Sequence, residues 1–337
     1  MSGKTSSIID PKSVLLSRAD WHWAEALPWI LAIAVFVFQP ITLNLGVQIL
    51  IMIIFALSLD LILGYGGVVT LGHAAYFGAG AYATGMLSAH LGWNEPISGL
   101  LLGASAAAII GFLTGWVLMR YHGLALLMLT LALGILMAEF ANVTEDWTGG
   151  FDGLYGISID PIFGIFENDL WRRNYFWYCL IVAFVVFLAC RRIVNSAFGR
   201  GLVGIRENTG RMRAIGSPVH LRLVMAYTIS AFIAGIAGAL FAQSNEYVTL
   251  DVLSFVRSGT VLIVLVLGGT GRLYGAFVGA IVYILVEDEL AKEYPAYWEL
   301  GLGFVLVLTA LFFRDGLLGA LESIVKYFKG REGGRKA

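Results

Sequence analysis

Residue types that could do chemistry are present in this 337-residue chain, but not in catalytic arrangements. A phosphate-cradling loop needs Gly-x-x-x-x-Gly-Lys-Ser/Thr. Gly3-Lys4-Thr5 supplies only the tail of that pattern, so the chain is not expected to hydrolyse ATP. The histidines His22, His73, His90, His122 and His220 are scattered, and none has a neighbour at metal-ligand spacing. Cys179 and Cys190 lie eleven residues apart in one apolar run. On a straight helix that is about 16 Å, too far for a disulfide, so both read as buried thiols. A membrane enzyme would cluster a nucleophile, a base or metal ligands in one pocket. No such set exists here, so no catalytic residue, metal ligand or cofactor is expected in this chain.

The chemistry that remains is that of isolated polar groups in apolar surroundings. Asp60 interrupts an apolar run. A carboxylate there is costly and usually faces protein or water. Either it lines a pathway or pairs with an arginine, or it lies near an interface and is solvated. His73 either packs and hydrogen-bonds or meets a solute. Tyr65, Thr70, Tyr76 and Tyr82 offer hydroxyls in the same stretch. Two glycine-rich segments, 64–73 and 268–272, are too rich in glycine for continuous helix. Gly66, Gly67, Gly268 and Gly269 stand at their centres. Placing Gly66 on Gly268 also aligns Leu71 with Leu273 and Ala74 with Ala276, a faint trace of duplication. Transporters often carry two related halves with broken helices beside the solute path.

One segment carries charge in quantity. Residues 191–222 hold seven arginines against the single acid Glu207. A basic loop of this kind can simply set topology and touch anionic lipid. Leu202, Val203, Ile205, Met212 and Ile215 are interspersed, so a short amphipathic helix ending near Gly216-Ser217-Pro218 is expected. Such a helix is suited to a groove on a soluble partner.

The surroundings that must hold these groups are membrane. The chain is 58% hydrophobic and 13% charged, about half the charge usual for a soluble domain. The net charge of −1 gives no reason to expect a nucleic-acid partner. Apolar runs fall at 24–39, 41–63, 68–89, 97–119, 123–141, 175–190, 223–243, 258–270, 274–290 and 298–314. They are continuously apolar rather than alternating, so helices are expected, not a barrel. Ten spans result, although 258–270 is too short to cross alone and suits a half-helix. No cleavable signal peptide is apparent, because Asp10, Asp20 and Glu25 interrupt the first residues. With the N-terminus in the cytoplasm, 18 of the 22 basic residues fall inside, leaving Arg172, Arg173, Arg257 and Lys292 outside. That split decides the orientation. Residues 1–23 and 316–337 become cytoplasmic tails, 24–315 the membrane domain, 191–222 an inner loop and 142–174 an outer loop. Arg172, Arg173 and Arg257 are candidates for docking acidic groups on an outer partner, with headgroup anchoring the alternative reading.

Four ordered blocks then resemble one family. Residues 63–82 (Leu63-Gly64-Tyr65-Gly66-Gly67 through Gly78-Ala79-Gly80-Ala81-Tyr82), Thr148-Gly149-Gly150-Phe151-Asp152-Gly153-Leu154-Tyr155-Gly156-Ile157, Arg200-Gly201-Leu202-Val203-Gly204-Ile205-Arg206-Glu207-Asn208, and Leu267-Gly268-Gly269-Thr270-Gly271-Arg272-Leu273-Tyr274-Gly275 are similar to blocks of the branched-chain amino acid permeases. The pattern is nearer the longer of that family's two permease subunits. The resemblance implies an all-α, type II-like permease fold of an ATP-binding-cassette importer in the bacterial inner membrane. It implies a second permease subunit, two cytoplasmic ATP-binding subunits that hold ATP and Mg, and a periplasmic substrate-binding protein. It makes Arg200, Leu202, Ile205, Arg206, Glu207, Asn208, Arg211, Ile215 and Gly216 the coupling residues. Asp60, Tyr65, Gly66, Gly67, Thr70, His73, Tyr76, Gly268 and Gly269 become pathway candidates. Many relatives carry Asn where this chain has Asp60. Branched-chain or other hydrophobic amino acids lead as substrates, with urea, short amides and small carboxylates as alternatives within the same class. An ion-gradient carrier is the competing class, but it would need several mid-span ionisable relays, and only Asp60 qualifies.

Overall fold

The computed structural model describes residues 43–161 and 173–295, with 29, 297–298, 300–304, 307 and 316–319. The described residues are mostly helical, and their only β pairing is one isolated bridge between Leu154 and Val248. The helices are α1 (Leu43–Asp60, extended by a π turn over Leu61–Tyr65), α2 (Ala74–Leu91), α3 (Pro96–Leu118), α4 (Leu124–Val143) and α5 (Arg173–Asn195). There follow α6 (Ala197–Glu207), α7 (Thr209–Ala214), α8 (Val219–Asn245), α9 (Phe255–Gly268) and α10 (Leu273–Glu293). Each apolar run between 41 and 290 therefore becomes a helix. The runs 24–39 and 298–314 lie mostly outside the described residues.

Two of the ten expected spans thus fall largely beyond the described residues. Among the described residues, five helices are long and apolar enough to cross a bilayer: α1 with its π turn, α3, α4, α5 and α8. A sixth crossing appears if α9 and α10 count as one broken span, bent by 113°. The 14-residue α9 is about 21 Å long, short of a hydrocarbon core of about 30 Å. That agrees with the half-helix expected there.

α8 is the central post. It packs along α3 and α2, with α1 on another side. Its inward residues are small: Ala234, Gly235, Ala237, Gly238 and Ala239 are buried. Small residues let helix backbones approach where lipid supplies no hydrophobic drive. α1 is apolar all round and buried from Leu50 to Asp60, as a fully enclosed helix should be. By contrast, Leu124, Met128, Ile135, Leu136 and Phe140 of α4 stay exposed, a face for lipid or a neighbouring subunit. The glycine pairs Gly99/Gly103, Gly111/Gly115 and Gly275/Gly279 all pack within the chain, against α2 and α8, α8, and α9 respectively.

The α9–α10 bend depends on close backbone approach. A Cβ at Gly268 would overlap the Gly275 carbonyl oxygen, whereas one at Gly259 on the same helix would meet open space. Overpacking a dense contact costs about 1–3 kcal/mol. Gly268→Ala is therefore expected to lower the melting midpoint of the detergent-solubilised protein, while Gly259→Ala leaves it unchanged or slightly raised. Equal midpoints for the two variants would refute this account of the bend.

Candidate functional site

The two glycine-rich breaks, 211 residues apart in sequence where they bond, meet in space. α1 does not end cleanly. Its last turn widens into a π turn over Leu61–Tyr65, a form frequent at functional sites. Gly67 N–H then donates to the Leu63 carbonyl and Val68 N–H to that of Ile62, both at 3.1 Å. Residues 68–73 are not helical until α2 begins at Ala74. At the second break α9 stops at Gly268, and α10 starts at Leu273.

Asp60 joins them. Its side chain is wholly buried, and Oδ1 accepts from the Gly271 N–H at 2.7 Å. Gly64 has no room for a side chain there, because a Cβ would overlap both Asp60 Oδ1 and the Gly271 backbone. Tyr65 reaches the Leu273 backbone as a further tie. Asp60 Oδ2 has no hydrogen-bond partner among the described residues.

The third component comes from the arginine-rich loop. Arg206, in the last turn of α6, donates through a terminal guanidinium nitrogen to the Gly64 carbonyl oxygen. Its stem lies where a Cβ on Gly67 would be, and its guanidinium where one on Gly271 would be. One arginine thus enters the crevice between both breaks, within electrostatic range of buried Asp60. Asp60 is therefore not solvated at an interface, the alternative reading of it; it is buried against the second break, with Arg206 nearby. Arg206 thus connects α6 to the π turn that ends α1 and to the segment between α9 and α10.

The arginine-rich loop is two helices rather than one. Ser196 caps α6 by accepting from Gly199 N–H at 3.3 Å, and Asn208 caps α7 by accepting from Arg211 N–H at 2.8 Å. The apolar face of α6 is turned the other way from the expectation. Leu202 is fully buried and Ile205 is 3% exposed, against the chain's own helices rather than toward a partner. Burial of an amphipathic helix's apolar stripe is satisfied first by its own core. What faces outward is Arg200, Glu207, Arg211, Gly216 and Ile215, the last 70% exposed.

The remaining pathway candidates serve the fold in this conformation. His73 Nε2 lies 2.8 Å from Ser58 Oγ, and its ring stacks on Phe55 with centroids 5.6 Å apart. Tyr76 is bonded to Thr114 at 2.7 Å and to Tyr227 at 3.1 Å. Thr70 is 1% exposed and accepts from the Gly72 N–H at 3.4 Å. Gly66 and Gly269 are buried, while Tyr65 is partly exposed and Gly67 exposed. Three residues not singled out from sequence support the break. Leu71 N–H donates to Thr130 Oγ1 at 3.2 Å, Ala74 N–H to Ser258 Oγ at 2.9 Å, and Ser230 Oγ to the Ser58 carbonyl at 2.5 Å. Non-helical backbone at membrane depth is tolerated only with such partners. Their one sequence signal is a hydroxyl inside an apolar run.

Of the docking candidates, Arg172 lies outside the described residues. Arg173 opens α5 and is exposed. Arg257 is turned inward, its guanidinium 5.1 Å from the Phe241 ring centroid and 3.0 Å from Asp251. Both cysteines are unpaired and buried. Among the described residues no group of three His, Cys, Asp or Glu side chains is placed to hold a metal.

Residues 41–311 match the family described as branched-chain amino acid transport system, permease component. The chain is 30% identical to the high-affinity branched-chain amino acid transport system permease protein LivM of Escherichia coli K12, over 88% of this chain and 74% of that protein. It is 26% identical to the probable LivM of Methanocaldococcus jannaschii, over 82% and 88%. It is also 25% identical to the autoinducer 2 import system permease protein LsrC of Enterobacter sp. 638, over 72% of each. No solved structure matches the chain.

Proposed function

The chain belongs to the family of branched-chain amino acid transport permeases, and from that premise we propose that it is a translocation subunit of an ATP-binding-cassette importer. It pairs with a second permease subunit, docks two ATP-binding subunits through 197–216, and receives its solute from a periplasmic binding protein. It sits in the cell's inner membrane with both termini and the arginine-rich loop in the cytoplasm, as the distribution of basic residues favours. Its substrates are branched-chain or other hydrophobic amino acids. A relative named for autoinducer 2 import means that the fold alone does not fix the cargo.

The observation that carries this reading is Arg206. A side chain from a surface helix ends in the crevice where both broken helices meet. A motor bound at α6 and α7 can then act on the spans themselves, with ATP and Mg held in that partner. The test is reconstitution of the whole assembly, with its binding protein, in proteoliposomes. Uptake of leucine is expected to require ATP and the ATP-binding subunits. Uptake by this chain alone under an ion gradient would overturn the proposal.

A narrower expectation concerns Ile215. An exposed apolar residue beside Arg211 and Arg213 is the natural anchor for a partner, since apolar anchors in the centre of an interface dominate its energy. Ile215→Asp is expected to weaken co-purification of the ATP-binding subunits at least about tenfold, a loss typical of an interface anchor. The folding of the chain should be unaffected, because α7 has no buried residue. Undiminished co-purification would move the anchor elsewhere.

A further inference from the structure

A cavity of about 290 Å³ lies between α1, α2, α8 and α10, with Arg257 of α9 in its wall. Gln48 and Asn245, near the ends of α1 and α8 away from the arginine-rich loop, also line it. Its size is at the lower limit for small-molecule sites, which run from about 300 Å³ upward. One part is apolar, formed by Phe55, Phe77 and Phe241 with Met52 and Ile284. The other part holds two opposite charges, Arg257 and Glu287.

These charges attract across the cavity but do not close into an ion pair with each other. Arg257 is steered by Asp251, which accepts one bond at 3.0 Å, and by the faces of Phe77 and Phe241, 5.8 and 5.1 Å from its guanidinium carbon. A guanidinium has five N–H donors, so most remain for something else. Glu287 is partly buried on α10 and makes no hydrogen bond or ion pair with any described residue. The two groups therefore line one cavity at more than the 4.0 Å of an ion pair. Opposite charges in a partly desolvated site attract strongly. Held apart as they are, they suit a ligand carrying one charge of each sign.

We infer that this cavity is a binding station for a single zwitterionic α-amino acid with an apolar side chain. Arg257 takes the carboxylate, Glu287 takes the ammonium, and the phenylalanines receive the side chain. The inference rests on the permease reading and extends it by placing a specificity site inside this subunit. It also separates the candidate solutes. A simple carboxylate would bring its charge up to Glu287 without compensation, and urea or a short amide would leave both charges unmatched.

Binding is measured directly on the assembled complex in nanodiscs, without binding protein, using leucine, 4-methylpentanoate and 3-methylbutylamine. Leucine is expected to bind at least about tenfold more tightly than either analogue, since each lacks one charged contact. Glu287→Gln should erase the preference for leucine over the carboxylate, and Arg257→Gln the preference over the amine. Equal affinity of the wild-type complex for all three ligands would overturn the station without depending on any variant. So would leucine binding unchanged in both variants while ATP-driven leucine uptake persists, and the permease reading would then stand. Absence of ATP-driven leucine uptake by the wild-type assembly would overturn the substrate reading and the station with it.

Discussion

Arg206→Ala is expected to reduce ATP-driven uptake at least about tenfold while ATP hydrolysis continues, a loss matching one charge-assisted hydrogen bond. The separation of these two effects follows from how α6 is held. Leu202 and Ile205 anchor the helix against the membrane domain, and neither depends on Arg206. The outward residues Arg200, Glu207, Arg211 and Ile215 keep their places, so the proposed motor should still bind and turn over. What disappears is the bond to the Gly64 carbonyl and the filling of the crevice beside Gly67 and Gly271. The motor would then move a helix no longer engaged with the breaks. Arg206→Lys should be intermediate, because an ammonium keeps the charge and one donor but not the planar fork. Uptake and phosphate release measured in the same proteoliposomes give the solute moved per ATP. A ratio unchanged in Arg206→Ala would remove Arg206 from the transmission route.

Why the joint was only half visible in the sequence is a matter of which interactions leave patterns. Glycine-rich breaks at 64–67 and 268–271 are legible because helix is disfavoured there whatever the surroundings. The arginines of 191–222 are legible because charge is excluded from lipid. Neither signal says that the two breaks touch. The contact is made by Asp60 on a backbone N–H, and every residue type but proline offers one, so no spacing betrays the partner. The orientation of α6 failed for a related reason. An amphipathic pattern shows that Leu202 and Ile205 share a stripe, but a stripe can be buried in a foreign groove or in the chain's own core, and here the core took it. His73 and Tyr76 repeat the lesson. Polar groups in an apolar run invite a pathway reading, yet Ser58, Thr114 and Tyr227 answer them from other positions in the fold. The half-helix at 258–270 was legible because its apolar run is short, whereas the 113° bend that follows it leaves no hydropathy signal.

Asp60 offers the sharper division between acceptor and charge. Its Oδ1 satisfies the Gly271 N–H in a site closed to water, so the bond matters more for what its loss would expose than for its own strength. An unpaired buried donor costs about 1–3 kcal/mol. Asp60→Leu keeps the branched shape, with bulkier methyl groups, and removes the acceptor, which should release the second break from the first. Asp60→Asn keeps a carbonyl oxygen in the same place and removes only the charge. Arg206 sits at the more exposed end of the joint with the Gly64 carbonyl still available, so loss of that charge is expected to be tolerated. The expected order is therefore wild type and Asp60→Asn close together in melting midpoint and uptake, with Asp60→Leu well below both. Uptake by Asp60→Leu should fall at least about tenfold if the two breaks move as a unit during transport. If Asp60→Asn were as damaged as Asp60→Leu, the negative charge opposite Arg206 would be the essential feature. If Asp60→Leu behaved as wild type, the two breaks would not be mechanically joined at this residue at all.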